Sequence, residues 1–213
     1  MSGIIDPTTR LGFTNKKWGI CGFTSSLSAM YDLNQGVRGQ VINGSSGYRI
    51  LAEIKIYLKM LKAAGSTLLA DIRDFTRSFG PPYDKFEIDE YIARIDNAAA
   101  EDLSRYQIMS EPRFSLGMPP AAVADYIHRQ WGWKATVTEY AITNGVGDGV
   151  VGVTKGWFGS GDRKSFFPLP YYGLCHYLYR SNGAVYSWGI KFNSVAEANA
   201  EYRVCYVISV SPT

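Results

Sequence analysis

Residues 171–192 read YYGLCHYLYRSNGAVYSWGIKF, and this stretch indicates how the last third of the chain folds. Aromatic and β-branched residues fill both halves. Asn182-Gly183 lies between them, which is the strongest short signal for a tight β-hairpin. Further runs with strand-like alternation cover residues 134–142, 150–155 and 201–210. We therefore predict an antiparallel sheet that begins near residue 134.

The chain before residue 134 shows apolar residues at helical spacing instead. Glycine and proline residues interrupt this spacing at Gly65 and at Gly80-Pro81-Pro82. We predict helices over residues 21–34, 48–64, 66–79, 88–109 and 121–131. The predicted fold class is α+β, in a single domain over residues 1–213, with a helical part at about 20–131 and a sheet at about 134–210.

Composition limits the partners and the location of the protein. Of its 213 residues, 46% are apolar and 19% are charged, which predicts a folded domain with a substantial core. The net charge of +3 comes from scattered Lys and Arg residues, so we expect no nucleic acid partner. No run approaches the ~18 apolar residues of a transmembrane segment, and residues 1–19 lack a secretory signal pattern. We expect a protein that is cytoplasmic in the producing cell or exported by a specialised secretion system.

The chain has three cysteines, Cys21, Cys175 and Cys205, and two histidines, His128 and His176. Without a secretory signal, free thiols are the default interpretation. A zinc site needs more ligands than this set offers, and no CxxC motif occurs, so we predict no metal and no cofactor. Any imidazole chemistry therefore depends on His128 or His176.

The most informative short stretch is NKKWGICG, from Asn15 to Gly22. Cys21 lies at the predicted start of the first helix, where unpaired N–H groups and the helix dipole favour a thiolate and lower the pKa of the thiol. Gly19 and Gly22 leave room for a substrate backbone, and the Cys21 N–H could stabilise an oxyanion. This combination predicts a catalytic nucleophile, and the alternative is a structural cysteine buried among small residues.

His176 is the predicted base for Cys21. Counting from the hairpin turn places His176 opposite Gly189, which leaves space above the imidazole for a thiol and a substrate. His128 is the rival base. It lies beside Arg129 on an amphipathic helix, where we expect a surface or capping role instead.

A third member of a triad has two candidates in the hairpin. Ser187 is the nearer of the two, as a diagonal neighbour of His176 on the same face of the sheet, and Asn193 lies on that face farther along the chain. No acidic residue occurs between His176 and Ala196. A Cys-His pair can act without a third group if other contacts orient the imidazole.

The order of these features resembles the papain-like cysteine proteases, including bacterial effector proteases of the YopT and AvrPphB type. A cysteine begins the first main helix, more helices follow, and a histidine lies on a late hairpin. The resemblance implies a papain-like fold with catalytic Cys21 and His176. It also implies an oxyanion-hole amide six residues before the cysteine, which is Asn15 here. The candidate substrate-binding residues are Trp18, Gly19, Gly22 and Trp188.

The expected function is therefore that of a thiol protease or amidase acting on a protein or peptide, in the manner of a secreted effector, toxin or virulence factor with a cognate inhibitor or immunity protein. Glutamine deamidation or transglutamination, and cleavage of peptidoglycan, use the same chemistry and stay open. A binding module in which Cys21 is only structural is a further alternative. So is an adaptor that recruits a partner through the aromatic residues Trp157, Phe158, Tyr171 and Tyr172.

Overall fold

The computed structural model describes residues 19–33, 46–98, 112–139, 147–155, 170–187 and 190–213. The helices are α1 (Cys21–Leu33), α2 (Ser46–Ala63), α3 (Leu68–Arg77), α4 (Ile88–Ala98), α5 (Pro120–Trp131) and α6 (Val195–Ala198). The strands are β1 (Lys134–Glu139), β2 (Gly149–Lys155), β3 (Leu174–Ser181), β4 (Ala184–Ser187), β5 (Ile190–Phe192) and β6 (Tyr202–Ser211). Helices thus precede an antiparallel sheet, and the predicted α+β class is confirmed. None of the described helices is both long and apolar enough to cross a bilayer.

The six strands form one sheet in the order β1-β6-β2-β3-β4-β5, and every neighbouring pair is antiparallel. The β3–β4 hairpin has the predicted register, with Ser181 opposite Ala184. Asn182 and Gly183 take φ values of 49° and 80° in the turn between them, which is the left-handed conformation that two-residue hairpins require. The Asn182-Gly183 turn therefore sets the register of the β3–β4 hairpin.

Two predicted strands differ from the structure. The strand predicted from Tyr171 onward starts later, because Tyr171 and Tyr172 have φ values of 53° and 57° and β3 begins only at Leu174. Left-handed residues cannot extend a strand. The second, residues 184–192, is divided into β4 and β5, which pair with each other through Ser187 and Ile190. The chain therefore reverses after Ser187 instead of continuing beside β3.

The helix predictions agree with the structure in their existence and differ at their ends. Helix α4 ends at Ala98 in the described part of the chain, and residues 99–109 of that prediction lie outside the described residues, as do residues 140–142 of the first predicted strand. The start of α3 was predicted at a Ser66 cap. Ser66 Oγ does accept the Leu68 N–H at 3.3 Å, although the helix begins at Leu68.

Helix α1 lies in the centre of the protein, because every residue from Gly22 to Tyr31 is buried. On the side away from the sheet, the Phe23 ring contacts the rings of Tyr57 in α2 and Tyr126 in α5, at centroid distances of 6.0 and 4.8 Å. On the other side α1 packs on β3. This packing places the first residue of α1 against the strand that carries His176.

The sheet has apolar side chains on both faces. One face shares the main core with the helices and includes Tyr177, Tyr179 and Tyr186. The opposite face carries a second cluster with α6 packed against it, and this cluster comprises Val151, Val153, Leu178, Val185, Tyr202, Val204 and Val207. The face on which a side chain of β3 lies therefore decides whether it meets α1 or the second cluster.

Candidate active site

Cys21 is the first residue of α1, as predicted. The carbonyl of Ile20 accepts the N–H groups of Phe23 and Thr24 at 3.1 Å, so the helix hydrogen bonds start immediately around the cysteine. The first-turn N–H groups of a helix have no partner within the helix. Those of Cys21 and Gly22 interact with the Cys21 sulfur, and so does the backbone N–H of Tyr177. Three amides are therefore available to an anion at this point.

The Tyr177 N–H reaches the sulfur because β4 is short. In a two-residue hairpin the residues that flank the turn form a hydrogen-bonded pair, so Ser181, and every second residue before it, directs its N–H toward β4. Tyr177 belongs to this set. Since β4 turns away after Ser187, the Cys21 sulfur lies on the open edge of β3 at the level of Tyr177.

Gly19 and Gly22 are close-packed against protein atoms. A Cβ at Gly19, where φ is 63°, would lie 2.5 Å from Ser115 Oγ, and one at Gly22 would lie 3.1 Å from Met118 Cβ. Ser115 and Met118 thus occupy the space into which a side chain at these positions would point, although Gly19 itself is exposed and lines a cavity beside Cys21. The lack of a side chain at both glycines lets the segment before α5 approach the start of α1, and the Leu116 N–H donates to the Gly19 carbonyl at 3.2 Å.

A cavity of about 360 Å³ opens beside Cys21. Its walls come from the start of α1, from α3 and the turn after it, from the segment before α5 and from the start of β3. Cys175, His176 and Tyr177 contribute the strand side of the cavity. The aromatic and apolar lining residues Phe75, Phe79, Tyr83, Leu116 and Met118 come from distant parts of the chain. We did not predict these residues, and the only local signal for them is the i, i+4 spacing of Phe75 and Phe79.

His176 lies on the face of the sheet opposite α1. Its cross-strand partner is Val153, a member of the second cluster, and partners across a ladder share a face. The imidazole stacks on Tyr202 at a centroid distance of 5.8 Å, and a hydrogen bond of 2.8 Å joins Nε2 to Ser187 Oγ. The shared face of His176 and Ser187 agrees with the predicted alternation. Tyr202 was not foreseen, because it comes from the last strand.

The structure thus brings Cys21 and His176 to the same end of β4 from different sides. The sulfur interacts with the peptide N–H directly after His176, whereas the imidazole is on the far face with Ser187. The thiol is hydrogen-bonded by backbone N–H groups, and the imidazole Nε2 is bonded to Ser187. Both residues line the same cavity. A path from the imidazole to the sulfur would therefore pass the open edge of β3.

The protonation states differ from the predicted ones. Burial raises the pKa of the Cys21 thiol from 9.0 to about 11, and the three backbone N–H groups only partly oppose it. Burial, assisted by the positive charge of Lys155, lowers the pKa of His176 from 6.5 to about 3. The expected lowering of the thiol pKa at a helix start is therefore corrected, because desolvation outweighs the local amides. At neutral pH both groups are uncharged.

The other candidates lie away from this point. Asn193 is exposed directly after β5, whose Phe192 pairs with Val185 near the hairpin turn, so it lies away from His176. His128 is exposed near the end of α5, which agrees with the predicted surface position, and its Nδ1 lies 3.2 Å from the Trp133 carbonyl beyond the helix. The predicted residues Asn15, Trp18, Trp157, Phe158, Trp188 and Gly189 lie outside the described residues.

Two tyrosines of the proposed adaptor surface are held by other side chains. The Tyr171 ring packs on Phe75 at 5.0 Å, and the Tyr172 hydroxyl donates to Glu139 at 2.9 Å.

In the part of the chain that the structure describes, no group of three His, Cys, Asp or Glu side chains is arranged as metal ligands.

Comparison of the chain with protein-family models, with curated protein sequences and with solved structures gave no match. Any function must therefore be inferred from the residues and geometry of this chain alone.

Proposed function

We propose that the protein is a cysteine-nucleophile hydrolase of papain-like type, a thiol protease or amidase that acts on a protein or peptide. The observation that supports this most is the position of the Cys21 sulfur. It lies at a helix start, beside the backbone N–H groups of Cys21, Gly22 and Tyr177, in the wall of a cavity. Preorganised amides of this kind stabilise the negative charge that develops during acyl transfer.

The proposed reaction uses general base catalysis, because the thiol is protonated at rest. The Cys21 sulfur bonds to the carbonyl carbon of the substrate while His176 takes the thiol proton, and the oxyanion is held by the Cys21 N–H. Collapse breaks the carbon–nitrogen bond, and His176 returns the proton to the leaving amine. Water then hydrolyses the thioester. Asn15 remains the proposed side-chain donor to the oxyanion.

The proposal requires His176 to reach the sulfur when substrate binds. Ser187 and Tyr202 hold the imidazole on the far face in the described conformation. The imidazole would approach around the edge of β3, because the sulfur lies at the peptide group directly after His176, beyond the end of β4. Ser187 then acts as the resting partner of the imidazole.

A binding module with a structural Cys21 is the second candidate, and specific contacts favour it. The sulfur interacts with the Tyr177 N–H, desolvation keeps the thiol protonated, and the imidazole is on the other face. In that case Cys21 serves the packing of α1 on β3 and takes no part in chemistry.

One experiment separates the two candidates. The wild-type protein and the variants Cys21→Ala and His176→Ala are incubated with a cell extract and with peptidoglycan, and the products are analysed by mass spectrometry. Cys205→Ala and His128→Ala are matched controls. A hydrolase yields cut chains, glutamines that gain about one dalton, or released muropeptides, and both test variants lose these products while the controls keep them. Products that persist in Cys21→Ala would refute the proposal.

The effector role is part of the same proposal. A small, mildly basic protein with a cysteine site of this type fits a toxin that a specialised secretion system delivers and that a cognate immunity protein restrains. This step is an analogy of fold and site rather than of residue chemistry.

A further inference from the structure

The cavity beside Cys21 has an aromatic wall. Phe75 and Phe79 lie with ring centroids 5.0 Å apart, and Phe79 and Tyr83 follow at 6.4 Å with their planes at 78°. Met118 and Tyr177 extend the apolar lining toward the sulfur. Aromatic rings prefer edge-to-face partners, and a thioether also packs well on a ring. The wall thus offers ring faces and edges to an occupant.

The polar groups of this wall are hydrogen-bonded to one another or to the backbone. The Thr76 hydroxyl donates to the Ile72 carbonyl at 2.8 Å and accepts the Gly117 N–H at 2.9 Å. The Tyr83 hydroxyl donates to Ser115 Oγ at 3.1 Å, and the Tyr177 hydroxyl donates to the Met118 carbonyl at 2.8 Å. An apolar occupant therefore leaves few unpaired groups behind.

The described lining residues include no Asp, Glu, Lys or Arg. A charged side chain that entered the cavity would lose its hydration without meeting an opposite charge, which is strongly unfavourable. At the rim, Phe79 is 43% exposed, an unusual exposure for a large aromatic residue. Its free surface continues the apolar wall out to solvent. The cavity volume lies at the small end of ligand pockets and suits one side chain better than an extended molecule.

We propose that this cavity takes an uncharged aromatic side chain of a peptide substrate, next to the bond that Cys21 attacks. The inference rests on the proposed hydrolase function and narrows it. It favours a peptide with an aromatic residue near the reactive carbonyl. Muropeptides and other substrates with charged side chains at this position are disfavoured.

The test uses peptidyl acyloxymethyl ketones. In this reaction the thiol sulfur forms a thioether with the methylene carbon, a carboxylate leaves, and the thiol proton is released. A probe set carries Phe, Leu, Lys or Glu at each of the two positions before the ketone. Intact mass gives the rate of modification, and peptide mapping assigns it to Cys21. The rate of modification by iodoacetamide measures the reactivity of Cys21 without peptide recognition. The Cys21→Ala variant gives the background modification.

We expect Cys21 to react at least about tenfold faster with a Phe probe than with the Lys or Glu probes. Phe79→Lys should reduce that preference about tenfold and raise the rate of the Glu probe, whereas the matched variant Phe79→Leu should still favour uncharged probes. If all the peptidyl probes modified Cys21 at the same rate, faster than iodoacetamide, this inference would be overturned and the hydrolase proposal would stand. Reaction of every peptidyl probe at the iodoacetamide rate would overturn both.

Discussion

Acidification should destabilise the folded protein through His176 before most carboxylates titrate. The imidazole is buried against Tyr202 with its Nε2 bonded to Ser187, and its pKa falls from 6.5 to about 3. A histidine with a lowered pKa stabilises the fold fully above pH 6.5. This contribution is lost as the pH falls toward 3, because the unfolded chain binds a proton that the folded chain rejects.

The size of the effect follows from the two pKa values. In the unfolded chain the imidazole is about one-quarter protonated at pH 7 and almost fully protonated at pH 5, while the folded His176 stays neutral at both. The free energy of unfolding should therefore fall by about 2 kcal/mol between pH 7 and pH 5 from this residue alone. That is a large part of the net stability of an ordinary domain.

Urea unfolding followed by tryptophan fluorescence at pH 7, 6 and 5 measures this loss. His176→Gln removes the titrating group, so its unfolding free energy should fall by about 2 kcal/mol less than that of the wild type over this range. His128→Gln, at the exposed end of α5, should keep the wild-type loss. Parallel pH profiles for the wild type and His176→Gln would show that the buried imidazole does not resist protonation, and the reasoning from burial would fail.

Three further predictions concern single residues. In a variant that lacks Cys175 and Cys205, iodoacetamide at pH 8 should modify Cys21 about tenfold more slowly in the native protein than in urea. At pH 8 a thiol with a pKa of about 11 has about a hundredfold less thiolate than an ordinary cysteine, and the greater nucleophilicity of that thiolate offsets only part of this loss. Equal rates in the native and the denatured protein would contradict the raised pKa. Phe23→Ala should lower the free energy of unfolding by about 3–5 kcal/mol in urea titrations, because the ring is 1% exposed at the junction of α1, α2 and α5. Gly149→Ala should cost about 3 kcal/mol or more by the same measurement, since its φ is 137° and a Cβ would lie 2.2 Å from the Ile208 carbonyl oxygen. Gly183→Ala, with open space around it, should cost only about 1 kcal/mol, and equal losses for the two glycine variants would exclude the steric cause.

The elements that depend on local rules could be predicted from the sequence. The Asn182-Gly183 turn determines the β3–β4 register, and the same count correctly placed Ser187 on the face of His176. Helix α1 begins at Cys21 as its apolar spacing and flanking glycines indicate. Each of these depends on residues that are close in the chain, so no long-range packing was needed to foresee them.

Where the chain reverses a second time could not be predicted. The aromatic run from Ala184 to Phe192 has strand character throughout, yet β4 ends at Ser187 and β5 returns beside it. This reversal places Asn193 away from His176 and leaves the edge of β3 open for the Cys21 sulfur. Alternation of residue types does not show where a strand ends when the residues at the reversal are of the same types as those in the strand.

For the candidate site, the sequence by itself determined which groups are available: one thiol at a helix start and two imidazoles. The tertiary structure alone decided their chemistry. The packing of α1 on β3 partly buries Cys21, and this desolvation keeps its thiol protonated, although the local amides favour the anion. Pairing of β3 with β2, and of β2 with β6, places His176 against Tyr202 on the far face. The physical reason is that desolvation and strand pairing sum contributions from residues far apart in the chain, which no local pattern records.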